Sequence, residues 1–237
     1  PEVPMYTPEQ FEGMLREQEV DTVIVTTIDR VHHEYICRAM ELGCDAVTEK
    51  PMTTDASKCQ QIMDTIAQTG CRLTVTFNYR YAPRNSKVKE LIQQGAIGKV
   101  LSVHFEWLLD TKHGANYFRR WHRDKGNSGG LLVHKATHHF DLVNWWLDST
   151  PDTVYARGGL RFYGRENAEG RGQPRHYDYS TGHPNAANDP FAIDLTQDSK
   201  LKQMYLDAAH EDGYRPDQSV FGDGISIEDD MSVLVHY

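Results

Sequence analysis

Three short runs rich in β-branched residues, starting at Thr22, Asp45 and Arg72, alternate with segments of helical period. The first, TVIVTT at 22–27, is apolar without alternation, the pattern of a strand covered on both faces in a parallel sheet. A helix is expected over 31–42, stopped by Gly43, and a second over 55–69, stopped by Gly70. Strands at 45–48 and 72–77 complete two successive βαβ crossovers, so the three strands should be parallel. Ahead of them, Thr7-Pro8-Glu9-Gln10 reads as a capping box with proline at the first helical position.

This is half of a doubly wound sheet. The other half would carry a glycine-rich phosphate loop, and no G-x-G-x-x-G lies in these residues. It is expected ahead of Pro1, and the ends PEVPMYT and DDMSVLVHY read as cut on both sides. After a helix at 83–94 the texture changes. Alternating runs at 99–109 and 153–163 suit a sheet with one covered face, and 131–147 reads as a strongly apolar helix. Positions 164–224 form a polar excursion with one helix near 199–211. The expected fold class is therefore α/β: a partial Rossmann domain at 1–81, then an α/β domain with a large open, mostly antiparallel sheet at 82–237.

Composition narrows the partners. Lys plus Arg is 25 against 34 Asp plus Glu, a net charge of −9, which argues against nucleic acid or an anionic membrane as the main partner. No apolar run approaches the roughly 20 residues that cross a bilayer. Cys37, Cys44, Cys59 and Cys71 form no C-x-x-C and read as reduced thiols of a cytoplasmic protein, with a removed export signal left open.

Ligands of an open parallel sheet bind outside the carboxyl ends of its strands. Those ends are Thr26-Thr27-Ile28-Asp29, Glu49-Lys50-Pro51 and Asn78-Tyr79-Arg80, all polar and all on one edge. Lys50 beside an apolar wall would lose preference for its proton and become a usable acid or base; the plainer reading of Glu49-Lys50 is a solvated pair. Pro51 fixes the turn before Thr53 or Thr54 caps the next helix. In GGLLVHKATHHFD at 129–141, His134, His138 and Asp141 share one face if the segment is helical, while Lys135 and His139 point elsewhere. No Glu stands between the histidines as in H-E-x-x-H, so a hydrogen-bonded pair is favoured over a metal site. The basic aromatic stretch YFRRWHRDK at 117–125 is either a solvated loop or a rim for an anionic or sugar-like ligand. Trp145-Trp146 reads as a core feature.

The run from Thr22 to Asp55 resembles the nicotinamide-dependent Gfo/Idh/MocA oxidoreductases. Its hallmarks are Glu49-Lys50-Pro51 at a strand end with Thr26 or Thr27, Asp29 and His32 one helix upstream, and Gly129, Gly130, Leu132, His138 and Asp141 further on. The resemblance implies NAD or NADP as cofactor and hydride transfer at a hydroxyl-bearing carbon of a sugar or cyclitol. It implies Lys50 as general acid/base, assisted by His138 and His134. Thr26, Thr27, His32, Glu49, Lys50, Pro51 and Asn78 would border the cofactor, and Arg80, Lys135, Asp141 and His138 the substrate. No metal is implied, and a homo-oligomer, dimer or tetramer, is expected. The chain departs from the family at His134, where an acid is usual. That departure keeps two alternatives open, glycoside cleavage by transient oxidation and a non-catalytic ligand-binding role.

Overall fold

The computed structural model describes residues 3–173 and 177–237, so positions 174–176 of the polar excursion lie outside the described residues. The chain forms two compact units, one of residues 1–94 with 133–146, the other of 95–132 with 147–237. Compactness thus divides the chain differently from the expected 1–81 and 82–237. The difference arises because the stretch at 133–146 returns to the first unit and is bonded there, as described below.

The first unit begins with a 3-10 turn, Pro8–Gln10, in which the Thr7 amide donates to Gln10 Oε1 at 2.9 Å, followed by α1 (Phe11–Glu17). Strand β1 (Thr22–Val25) leads through a 3-10 turn, Asp29–Val31, into α2 (His32–Glu41). Then come β2 (Asp45–Thr48), α3 (Ala56–Thr69), β3 (Leu73–Val75) and α4 (Pro83–Gln93). The three strands are parallel in the order β1-β2-β3, with Thr22 opposite Asp45 and Ala46 opposite Leu73. Val25, Ile36, Met40, Ala46 and Ile62 pack between sheet and helices.

Two local expectations change. Among the described residues, β1 lies at one edge of a three-stranded sheet and Ile24 is 71% exposed. Continuous apolarity cannot tell a central strand from an edge strand, because that depends on distant partners. The cap of α3 is Asp55 rather than Thr53 or Thr54; its Oδ1 accepts from the Lys58 amide at 3.0 Å. Asp55 sits one residue before the first helical turn, where a carboxylate reaches the orphan amides. Gly70 ends the helix at φ 73°, a left-handed conformation open to glycine.

The second unit holds α5 (Thr111–Arg119) and α6 (Lys125–Ser128); the chain then runs through α7 (Leu131–His134) and α8 (Thr137–Leu147) before β4 (Thr153–Gly159) and β5 (Asp230–His236). β4 and β5 pair antiparallel, Thr153 opposite His236 and Gly159 opposite Asp230. The antiparallel pairing is as expected, but it makes a two-stranded ribbon. Positions 99–109 form no strand, and Leu101 and Leu108 are 88% and 86% exposed. Alternation marks a segment able to pair; it does not supply the partner. The expected helix near 199–211 is broken into Ser199–Leu201, a π turn at Lys202–Leu206 and Ala209–Asp212. The core gathers Phe118, Leu131, Tyr163, Val220, Phe221 and Ile227.

The stretch at 117–125 is not a solvated loop. Phe118, Arg119, His122 and Arg123 are buried. Arg119 donates to the Phe191 carbonyl at 2.5 Å, and Arg123 donates to the carbonyls of Ser219 at 3.2 Å and Asp223 at 2.5 Å. Its cations hold the irregular excursion from inside.

Candidate active site at the strand ends

All residues of this site belong to the first unit. The apolar segment at 131–147 breaks at Lys135 and Ala136, so His134 closes α7 and His138 opens α8. The single helical face expected for His134, His138 and Asp141 is therefore interrupted. A helix end leaves carbonyls without intrahelical partners, and the His134 carbonyl accepts from Lys50 Nζ at 2.9 Å. This contact, rather than a solvated pair with the exposed Glu49, is what Lys50 makes. The lysine follows β2 and is joined to Pro51 by a cis peptide bond.

The ring of His134 points to a third strand end. Its Nδ1 lies 2.5 Å from Asp29 Oδ2, and both residues are buried, 9% and 3% exposed. Asp29 opens the turn after β1. Burial raises its carboxyl from 3.8 to about 7, against the downward pull of His32 and Lys50. The Lys50 ammonium is lowered from its usual value, by burial first and by Lys135, while Asp29 and Glu49 act upward. His138 is lowered to about 4 by burial, Lys50 and Lys135, so its ring is neutral at pH 7. That ring meets Phe77 at 6.3 Å and Tyr79 at 5.6 Å between centroids, and its Nδ1 is buried without a hydrogen-bond partner. Lys50 and His138 thus act on each other within one compact unit.

Other expected site residues take supporting places. His32 is 1% exposed, with Nδ1 2.9 Å from the Pro51 carbonyl and Nε2 3.0 Å from the Thr27 carbonyl. It ties the turn after β1 to the turn after β2 and is too enclosed to border a cofactor itself; Pro51 is buried with it. Arg80 and Asp141 bind each other through a two-pronged ion pair, Nε to Oδ2 at 2.7 Å and Nη2 to Oδ1. With Asp141 buried, this fork fastens α8 to the strand-end turn, while Arg80 stays half-buried. Trp146 Nε1 donates to the Asn85 carbonyl at 3.0 Å, and Lys89 Nζ to the Trp145 carbonyl, on the same seam. Thr26, Thr27, Glu49 and Asn78 are exposed along the edge, and Lys135 is half-buried in the α7–α8 turn.

Sequence reasoning noticed Asp29 as a motif position but did not place it among the site residues. Its spacing to His32 put it on the strand-end turn; its partner stands 105 positions away. A cleft of about 540 Å³ in the second unit, lined by Arg165, Tyr177, Tyr179 and His183 among others, contains none of the expected site residues.

Two family models match the chain: an oxidoreductase family, NAD-binding Rossmann fold, over residues 2–77, and an oxidoreductase family, C-terminal alpha/beta domain, over residues 89–228. The protein YteT of Bacillus subtilis (strain 168), an oxidoreductase by name, is 39% identical over 249 residues, covering 99% of this chain and 56% of that protein. An inositol 2-dehydrogenase/D-chiro-inositol 3-dehydrogenase of Lactiplantibacillus plantarum is 28% identical over 143 residues, covering 60% of this chain and 38% of that protein. The chain therefore spans about half the length, or less, of these relatives. Among solved structures, aldose-aldose oxidoreductase from Caulobacter crescentus superposes at a TM-score of 0.57 with 23% identity, covering 68% of this chain and 48% of that one. Among the described residues, no helix is long and apolar enough to cross a membrane.

Proposed function

The chain belongs to the Gfo/Idh/MocA oxidoreductase family, and on that premise we propose that it forms the proton-transferring side of a nicotinamide-dependent dehydrogenase acting on a hydroxyl-bearing carbon of a sugar or cyclitol. The observation that carries this reading is the placement of Lys50: a partly buried amine with a lowered pKa, seated by the His134 carbonyl at 2.9 Å and faced by Asp29 and His138. An amine accepts a proton only when it is neutral, and burial moves lysine in that direction.

In the forward direction the neutral Lys50 amine takes the substrate hydroxyl proton and becomes an ammonium, which Asp29 stabilises. His138, neutral at pH 7, offers the same oxygen a hydrogen bond without adding a second charge. A nicotinamide held along the strand-end edge would supply the acceptor for the hydride of that carbon. Fit to such a cofactor is supported by the exposed Thr26, Thr27, Glu49 and Asn78, and by hydroxyls of Thr53 and Thr76 buried at the strand ends without partners. The inositol dehydrogenase relative favours a polyol over a simple alcohol. The four cysteines are free, which supports a reducing, cytoplasmic location. Val154, Tyr155 and Leu234 stand exposed on the β4–β5 ribbon and support assembly of the whole protein as a homo-oligomer.

The test is a panel of sugars and cyclitols offered to the full-length protein with NAD or NADP, followed by absorbance of the reduced nicotinamide. Oxidation of at least one polyol, abolished in Lys50→Ala while the cofactor still binds, is the expected result. Near-normal turnover in that variant would remove Lys50 from the reaction.

A further inference from the structure

His134 occupies a position where its side chain is not solvated and not packed on apolar neighbours alone. Its Nδ1 stands 2.5 Å from Asp29 Oδ2, its carbonyl holds Lys50 Nζ, and the carboxylate is 3% exposed. A buried carboxylate with so little water needs a donor, and the choice of donors is narrow. His32 on α2 directs both ring nitrogens at the carbonyls of Pro51 and Thr27. Lys50 after β2 donates to His134. The Asp29 main-chain amide is one donor, and His134 Nδ1 is the side-chain neighbour at hydrogen-bond distance.

We infer that Asp29 is a positioning residue for the proton chemistry: it holds His134 in the Nδ1–H form and so makes Nε2 the nitrogen that exchanges protons at the site. The inference rests on the proposed dehydrogenase reading for its purpose, though not for its geometry. A carboxylate behind an imidazole does two things. Above the Asp29 value of about 7 it selects the tautomer, because the ionised carboxyl only accepts. It also stabilises the imidazolium that forms when Nε2 takes up a proton, because the new charge lies against a negative one in a poorly solvated place. The proton that reaches Nε2 is given up by the Lys50 ammonium, which returns to the neutral amine, and Nδ1–H stays with Asp29.

The same carboxylate serves Lys50, whose ammonium it favours. The charged and titratable groups around the pair are His32 from α2, Lys50 and Glu49 from the end of β2, and Lys135 from the α7–α8 turn. Lys50 and Lys135 would otherwise stand near His138 with only the exposed Glu49 and the forked Asp141 to offset them. An acid is absent at position 134, but one is present behind it.

The experiment reads the ring directly. Full-length protein carrying ¹⁵N-labelled histidine is examined by long-range proton–nitrogen correlation at about pH 8, above the Asp29 value of about 7. The His134 signal is identified by its loss in His134→Gln. The expected spectrum has the proton on Nδ1 and a bare Nε2, and Asp29→Asn moves the proton toward Nε2. A proton on Nε2 in the unaltered protein, or an unchanged tautomer in Asp29→Asn, overturns the assignment. Should Asp29→Asn fail to fold, the spectrum of the unaltered protein decides alone. With a substrate in hand, Asp29→Asn lowers kcat about 100-fold and leaves KM within about twofold; an unaltered kcat would overturn the link to proton exchange. The spectrum needs neither substrate nor cofactor, so failure of the dehydrogenase reading leaves it interpretable.

Discussion

Both units of this protein bury charge, and they treat it in opposite ways. In the second unit Arg119 and Arg123 are bonded to main-chain carbonyls, and Arg215 forks onto Asp217, which is 0% exposed and also accepts from the Thr181 amide. Each such group has a partner that does not titrate near neutrality, so its charge is fixed and its role is to hold irregular chain together. In the first unit Asp29 is bonded to His134, Lys50 is seated by the His134 carbonyl, and burial raises Asp29 to about 7, lowers Lys50 and lowers His138 to about 4. The lesson is that burial alone does not mark a reactive site; buried groups whose partners can also change protonation do.

The largest effect should come from the reactive side. Lys50→Ala is expected to lower kcat by 10³-fold or more, on the order of the contribution of acid–base catalysis, while equilibrium dialysis still finds cofactor bound. A fall below tenfold would place Lys50 with the fixed charges of the other unit. Next comes a break on the fixed side. Arg215→Leu strands the Asp217 carboxylate and should cost about 2–3 kcal/mol in urea unfolding, with kcat per folded molecule unchanged. A change in kcat larger than in stability would erase the contrast.

Acid should separate the units further. His138 and His139 both fall from 6.5 to about 4 in the fold, so between those values the unfolded chain binds protons that the folded one refuses. Stability is present above pH 6.5 and lost as pH falls toward 4, by roughly 1–2 kcal/mol per ring once solvent screening of half-buried groups is allowed for. Asp29, raised from 3.8 to about 7, has the opposite sign and favours the fold as pH falls through that window. Unfolding midpoints at about pH 7 and about pH 4.5 should therefore diverge more in Asp29→Asn than in the unaltered protein. The smallest effect is local: Gly70→Ala places a side chain at φ 73° with open space around it, costing about 1 kcal/mol of backbone strain without touching either charge system.

Local pattern carried the sheet elements well. β2 falls at 45–48 as read, and α3 ends at Gly70, because a glycine stop and a β-branched run are physical constraints on single segments. What failed depended on distant residues. The edge status of β1, the missing strand at 99–109 and the break at Lys135-Ala136 all follow from which neighbours are present. The site divides the same way. The strand-end position of Lys50 was legible from the pattern, while its contact with the His134 carbonyl was not. Arg80 and Asp141 were assigned to substrate because sequence could not show that they bind each other. Asp29 stood in plain view in its motif, yet its meaning needed His134.

The His32 tie has one last consequence. Its two anchors are main-chain oxygens, those of residues 27 and 51, and an amide oxygen is supplied by every amino acid alike. The rim of the site can therefore exchange Thr27 for other side chains, and with them its taste for one ligand over another, while the spacing between the two turns stays as it is. A mechanically constant frame with interchangeable lining would let a single arrangement of titrating groups be fitted to ligands of different shape.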